Sequence, residues 1–256
     1  MTTLLLIDGL NLVRRVYEAN PSPDSPEKAK QAVRNSIASF DRAFTETQPT
    51  HALAVFDFGG ETFRHRLFSG YRRKRKPMPA ELREVLPDIK ERIHQRCVLT
   101  MALPDVEADD VLASAARQGE REGFTSIVAM TTDKDVYQLV NDCIRGRHHF
   151  EGTYQDVSWV VQKFGVQPHQ MLDYLSLVGD TSDDVPGVAH IGPKTAVALL
   201  AQFGTLDNIL ASTDQLTGRV RTNLENGREM ALLSRQLIRL KEDLDLGLTL
   251  MDLSLV

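Results

Sequence analysis

The chain has 256 residues, 42% hydrophobic and 25% charged, which excludes wholesale disorder and allows one large domain or two small ones with a real core. Its two cysteines, Cys97 and Cys143, exclude a disulfide framework and have no histidine at zinc spacing. The net charge of −5 argues against a nucleic-acid partner only if it is evenly spread, and it is not: residues 61–77 hold seven Lys/Arg against Glu61, a segment of +6 that leaves −11 on the rest.

The N-terminal run Met1–Ile7 lacks the basic flank and the length of a signal peptide, and no apolar stretch approaches the roughly 18 residues of a membrane span. A cytoplasmic protein without membrane contact is expected. Strand-like runs at Leu4–Ile7, His51–Phe56, Val98–Met101 and Ser126–Met130 alternate with helical patterns near 28–45, 80–95 and 106–121. That alternation predicts a mainly parallel central sheet flanked by helices, an α/β core whose site lies at the carboxyl ends of the strands. The core spans 1–156, with the basic segment and its following helix at about 61–95 and Pro79 as that helix's first residue. From 157 to 256 helical patterns dominate, at 157–164, 168–178, 193–203, 205–211 and 227–240. They form an α-rich subdomain with a Gly/Pro-punctuated hairpin, Val185–Pro193.

Acidic residues fall in groups just after these strands. Asp8 and Asp57 follow the first two; Glu107, Asp109 and Asp110 crowd one helix start; Asp133 and Asp135 open another; Asp180 and Asp183 precede the hairpin. Acids in a first helical turn also complement the helix dipole, which accounts for one or two of them and poorly for three. Nine carboxylates converging on one sheet edge are tolerable only if protons or cations neutralise them. Hard oxygen ligands without Cys or His favour Mg²⁺, with Mn²⁺ as a substitute, over zinc. The number suits two ions, the arrangement that clamps the attacking and leaving oxygens of an in-line phosphoryl displacement.

The hairpin places Gly187 and Gly192 before Pro193, Lys194 and Thr195. Glycines admit a phosphate close to the backbone, and the next helix offers it free N–H groups, so a helix–hairpin–helix at about 168–203 would grip duplex without reading sequence. A plain inter-helix turn is the alternative. In the basic strip, Phe63, Phe68 and Tyr71 are interleaved with cations, a pattern that suits single strands; core packing explains Phe63 and Phe68 equally well.

Together these motifs resemble the flap endonuclease/5′-nuclease family, including the 5′–3′ exonuclease domain of bacterial DNA polymerase I. They run in order through Leu5–Gly9 (LLIDG), Ala54–Asp57 (AVFD), Phe63–His65 (FRH), Glu107–Asp110 (EADD), Thr132–Asp135 (TDKD), Gly179–Asp183 (GDTSD) and Gly187–Ala196 (GVAHIGPKTA). No polymerase portion follows, which is similar to the stand-alone, exonuclease IX-like members. The resemblance implies a PIN-like core, a helical arch, a helix–three-turn–helix motif and metal-dependent hydrolysis of DNA at 5′ flaps, nicks or ends. It also implies a monomer acting on branched or 5′-ended DNA. Carried over residue by residue, the metal and catalytic carboxylates are Asp8, Asp57, Glu107, Asp109, Asp110, Asp133, Asp135, Asp180 and Asp183. The arch pattern Tyr-Lys-x-x-Arg falls on Tyr71, Arg72 and Arg75, with Arg72 where the family has Lys. DNA contacts fall on Arg15, Arg64, Tyr71, Arg72, Lys74, Arg75, Gly187, Gly192, Lys194 and Thr195. K⁺ at hairpin carbonyls would lie around Val185, Val188 and Ile191. Two other readings compete: a PIN-type ribonuclease, which lacks the hairpin subdomain and basic arch, and a non-catalytic branched-DNA-binding module, which has no use for intact acids beside phosphate.

Overall fold

The computed structural model describes residues 2–255. Its centre is a six-stranded sheet: β1 (Thr3–Asp8), β2 (His51–Val55), β3 (Leu99–Met101), β4 (Ser126–Met130), β5 (Ile144–Arg147) and β6 (Tyr154–Gln155), in the order β3-β2-β1-β4-β5-β6. β1 to β5 are parallel and β6 runs antiparallel at the edge. β1, β2 and β4 read as near-continuous apolar runs because parallel strands are covered on both faces. Residues of one parity (Leu5, Ile7, Ala54, Met130) pack under α1 (Gly9–Glu18), α2 (Pro26–Thr47) and α4 (Ala80–His94). Those of the other (Leu4, Leu6, Val55, Ala129) pack under α5 (Ala108–Arg121) and the C-terminal segment around Leu240–Leu253.

β5 and β6 are additions to the expected strands. Ile144-Arg-Gly-Arg147 carries two arginines and a glycine, so its composition does not read as a buried strand; Arg147 is buried nonetheless, ion-paired with Glu46 of α2. The basic segment folds as a short helix, α3 (Phe63–Leu67), then a run of turns, then extended chain into α4. Pro79 caps α4 and the helix proper begins at Ala80, one residue later than expected.

The helical half holds α6 (Val157–Phe164), α7 (Met171–Val178), α8 (Pro193–Phe203), α9 (Leu206–Ala211), α10 (Gly218–Asn226) and α11 (Arg228–Ile238). Residues 168–170 form a 3-10 turn before α7, and α10 falls between the helical patterns expected at 205–211 and 227–240. Between α7 and α8 the chain makes a tight loop closed by paired backbone bonds between Asp180 and Val185, 2.8 and 2.7 Å. Val185, Val188 and Ile191 plug it into the helical core. Gly187 makes the closest approach: its φ is +63°, its N–H donates to Ser234 Oγ at 3.0 Å, and a Cβ there would lie 2.4 Å from the Gly179 nitrogen.

Gly187→Ala therefore combines a strained backbone with a backbone clash. It is expected to lower unfolding stability by at least about 2 kcal/mol, read as a reduced urea midpoint at unchanged slope; a midpoint within error of the parent would contradict this packing.

Candidate active site

The strand order fixes where chemistry can sit. From β1 the chain builds outward through β2 and β3, then returns to the other side of β1 for β4, so the crevice between the carboxyl ends of β1 and β4 is the topological switch point. Asp8 ends β1 there and N-caps α1, its Oδ1 accepting from the Asn11 N–H at 2.9 Å and its Oδ2 from Thr131 Oγ1 at 3.2 Å. Asp133, just past β4, accepts from the Asp135 N–H at 3.0 Å. Asp57 follows β2 and accepts from the Ala108 N–H at 3.0 Å. Asp8, Asp57, Asp109 and Asp133 surround a cavity of about 20 Å³, room for a single water or ion, which Arg72 and Arg75 also border.

A second group lies beside it. One carboxylate oxygen each from Asp135, Asp180 and Asp183 fall within 4.8 Å of one another. Asp135 comes from the 3-10 helix after β4, the other two from the α7–α8 loop, so this group exists only where the two halves of the chain meet. Lys134 Nζ holds Asp180 at 2.8 Å. Glu107 joins the groups through Arg72, whose guanidinium reaches Glu107 at 2.9 Å and Asp183 at 2.8 Å. Arg72 sits at φ +50°, and its N–H donates to the Asp183 carbonyl at 2.9 Å.

Burial drives these acids toward their neutral forms. It lifts Asp8 to about 7, with repulsion from Asp57 and Asp133 adding to it and the Asn11 bond opposing. Burial raises Asp109 well above the carboxylate range, helped by the charges of Asp133 and Asp8. Asp135 rises likewise through burial and then Asp133, Asp180 and Asp183. Burial also raises Glu107, against the pull of Arg72 and Arg64. Asp183 goes the other way: burial pushes it up, but the Arg72 charge and hydrogen bond, with Arg75 and Tyr71, outweigh burial and hold it low. Oδ1 of Asp109 and Oδ1 of Asp135 are buried and accept no hydrogen bond. Unpaired buried anionic oxygens are costly, and in a set made only of carboxylates they fit hard divalent cations.

Three expected site residues do something else. Asp110 is fully buried and its oxygens are spent on protein. Oδ1 accepts from Arg64 Nη2 at 2.7 Å and Lys241 N–H at 3.0 Å, and Oδ2 from Arg64 Nη1 at 2.6 Å and Glu107 N–H at 3.1 Å. It borders neither the carboxylate cavity nor the Asp135–Asp180–Asp183 group. Arg64, 2% exposed, spends its remaining donors on the carbonyls of Leu237 and Arg239, so it ties α3 and α5 to the end of α11 and has no surface for DNA. A buried pair of this kind is costly to break on one side, about 3–5 kcal/mol. Tyr71 is buried as well, its hydroxyl 3.0 Å from Glu107 and 3.3 Å from Asp183, so it buttresses carboxylates and stacks on no base. Phe68 packs on the helical core, and Phe63 lies against Arg64 and Lys241.

The remaining cations are open. Arg15, Arg75 and Lys194 are exposed; Lys74 is too, though it reaches Asp184 at 3.2 Å. Arg15, Arg72, Arg75 and Lys76 line a groove of about 530 Å³ that reaches Asp133 and Asp183. Sequence reasoning passed over Asn11, whose Oδ1 receives the Thr132 hydroxyl at 2.8 Å and meets His149 Nε2 at 2.9 Å, joining α1 to the segments that follow β4 and β5. Its position three residues after Asp8 was the available signal. Lys134 was also missed, lying between two counted acids.

A family model described as 5′-3′ exonuclease, N-terminal resolvase-like domain, matches residues 3–165, and one described as 5′-3′ exonuclease, C-terminal SAM fold, matches 166–256. Among solved structures, the chain is similar to a bacteriophage T5 5′-exonuclease described with bound divalent metal ions (zinc), at TM-score 0.79 and 20% identity, over 93% of this chain and 90% of that one. A bacteriophage T5 flap endonuclease in a complex with DNA and metal ions matches at TM-score 0.75 and 21% identity, over 93% and 89%. The catalytic core of Rad2 with DNA substrate matches at TM-score 0.61 and 15% identity, over 95% and 81%.

The raised acids give a pH signature. A carboxylate whose folded pKa is raised binds its proton over a range where the unfolded chain has released it, so its stabilisation is lost as pH rises toward the folded value, about 7 for Asp8. Cations compete with those protons. The gain in Tm from saturating Mg²⁺ over EDTA is therefore expected to grow as pH rises from about 6 to about 8; a gain that is flat or shrinks with pH would contradict the clustered-acid geometry.

Proposed function

The chain belongs to the 5′-3′ exonuclease family, and from that premise we propose that it is a structure-specific 5′ nuclease that hydrolyses DNA phosphodiesters at flaps, nicks or ends with two Mg²⁺ ions, Mn²⁺ substituting. The observation that carries this reading is the pair of buried carboxylate groups at the switch point, with unpartnered oxygens on Asp109 and Asp135.

Asp8, Asp57, Asp109 and Asp133 would hold one ion, and Asp135, Asp180 and Asp183 the other, with Glu107 between. Bound there, two ions supply a water of lowered pKa and charge stabilisation at the leaving 3′ oxygen. The chain's own part is to aim the phosphate. Arg75 stands at the mouth, exposed, where its guanidinium can donate to a pair of phosphate oxygens. Arg72 spans Glu107 and Asp183 with two separate nitrogens, a reach that a planar fork has and a single ammonium lacks, which suits Arg where related chains have Lys.

The loop Gly187–Gly192 and the first turn of α8, with Lys194 and Thr195, act as the helix–hairpin–helix grip on duplex phosphates, and Arg15 and Lys74 extend the basic track. K⁺ at the carbonyls of Val185, Val188 and Ile191 would reinforce that grip, sharing the first two with the backbone N–H groups of Asp180 and Ile191. The protein acts as a monomer on branched or 5′-ended DNA.

The test is cleavage of a 5′-labelled flap by purified protein in Mg²⁺ and in EDTA, beside a blunt duplex and a single strand. Mg²⁺-dependent cutting near the junction supports the reading, and mononucleotide release from ends assigns the same site to exonuclease action. Tight flap binding without any cutting would sink it in favour of a binding module. Asp135→Ala is expected to lower kcat by at least about 10²-fold while duplex affinity holds within about twofold. Lys194→Ala is expected to weaken duplex binding and flatten the slope of log K against log salt by about 1; an unchanged slope removes Lys194 from the phosphate contacts.

A further inference from the structure

Four residues border both the groove of about 530 Å³ and the small carboxylate cavity: Asn11, Arg72, Arg75 and Asp133. A phosphate moving from the groove to the acids meets these four. Asp133 repels it, and Arg72 is engaged with Glu107 and Asp183. Arg75 and Asn11 are left to receive it.

The amide of Asn11 is held in one orientation. The Thr132 backbone N–H approaches one of its two polar atoms at 3.3 Å. A backbone N–H can only donate, so that atom is the oxygen, Oδ1. The Thr132 hydroxyl donates to the same oxygen at 2.8 Å, and His149 Nε2 meets it at 2.9 Å. His149 is buried and neutral: burial, with the charges of His148, Arg147 and Arg15, lowers its pKa to about 3. A ring nitrogen that faces an oxygen carries the proton, so Nε2–H donates, while Nδ1 is buried without a partner. Three donors thus converge on Oδ1. Nδ2 has no partner among the described residues and is not a buried atom, so it opens onto the spaces that Asn11 borders, the groove and the cavity.

An uncharged donor suits this position. Cations this near the acids are captured by them, Lys134 by Asp180 and Arg72 by Glu107 and Asp183. An amide has no charge for them to neutralise and still donates to a phosphate oxygen. Asn11 also starts a row. Arg14 and Arg15 follow it at i+3 and i+4 on the same face of α1 and line the same groove, so phosphates beyond the one at Asn11 meet cations.

We propose that the Asn11 side chain contacts the scissile phosphate directly, Nδ2 donating to a non-bridging oxygen that it shares with Arg75. This rests on the 5′-nuclease reading and adds to it an uncharged substrate contact at the point of cutting.

The experiment measures flap binding by fluorescence anisotropy, with Ca²⁺ replacing Mg²⁺, for the parent, Asn11→Ala and Asn11→Asp. Asn11→Asp keeps an acceptor for Thr132 and His149 and removes the donor, so it separates lost contact from lost packing. The probes are the flap and flaps carrying one uncharged methylphosphonate, either at the phosphate the parent cuts or at a neighbour on each side. Both variants should bind the unmodified flap at least about tenfold more weakly than the parent. Methylphosphonate at the cut phosphate should cost each variant at least about tenfold less than it costs the parent, while at the neighbours it should cost Asn11→Ala and the parent alike. Asn11→Asp binding within about twofold of the parent, a full methylphosphonate penalty in both variants, or a penalty reduced only at a neighbour would each overturn the contact and leave the nuclease reading standing. A parent that does not cut the flap removes the nuclease reading and this inference with it.

Discussion

Eight carboxylates (Asp8, Asp57, Glu107, Asp109, Asp133, Asp135, Asp180 and Asp183) are gathered at one sheet edge, most of them buried, and their mutual repulsion is the constraint around which the rest is arranged. Left alone they would take up protons, as the upward shift of Asp8, Asp109 and Asp135 indicates. The fold opposes this with backbone N–H groups on Asp8, Asp57 and Asp133, and with Lys134 and Arg72 as counterions. These offset only part of the charge. The remainder is what bound divalent cations would neutralise, and a carboxylate-only donor set favours hard ones.

The same constraint explains why the two halves of the chain are locked together. Asp180 and Asp183 belong to the helical half and Asp135 to the sheet half, so any drift between them would dissolve the group they form. Arg64 prevents that drift from inside the core. It clamps Asp110 at the start of α5 and the carbonyls of Leu237 and Arg239 at the end of α11, and Asp110 in turn holds the Glu107 N–H. Tyr71 and Arg72 reach the same acids from the basic segment. The geometry of Glu107 thus depends on Arg64 and Asp110, which border neither the carboxylate cavity nor the basic groove.

Much of this was legible in the chain alone. Continuous apolar runs each ending in an acid announced a parallel sheet with its site at the carboxyl edge, and β1, β2 and β4 follow that reading closely. Spacing could not tell which acids face the crevice. Asp109 and Asp110 are neighbours in the first turn of one helix, about 100° apart, and only the position of Arg64 decides that Asp110 turns away from the carboxylate cavity. The basic strip misled in the same manner: composition counts Arg64 and Tyr71 among surface residues, and tertiary packing buries both. β5 stayed hidden because a buried arginine disguises a strand.

The central claim is that two carboxylate groups hold two separate ions, and counting the ions tests it directly. Mn²⁺ is titrated into the metal-free protein and free Mn²⁺ is followed by its EPR signal. The account expects two ions bound per chain, with Asp135→Ala reducing the count to one while Asp110→Asn, if folded, leaves it at two. A parent that binds a single ion, or an Asp110→Asn variant that loses one, would contradict it.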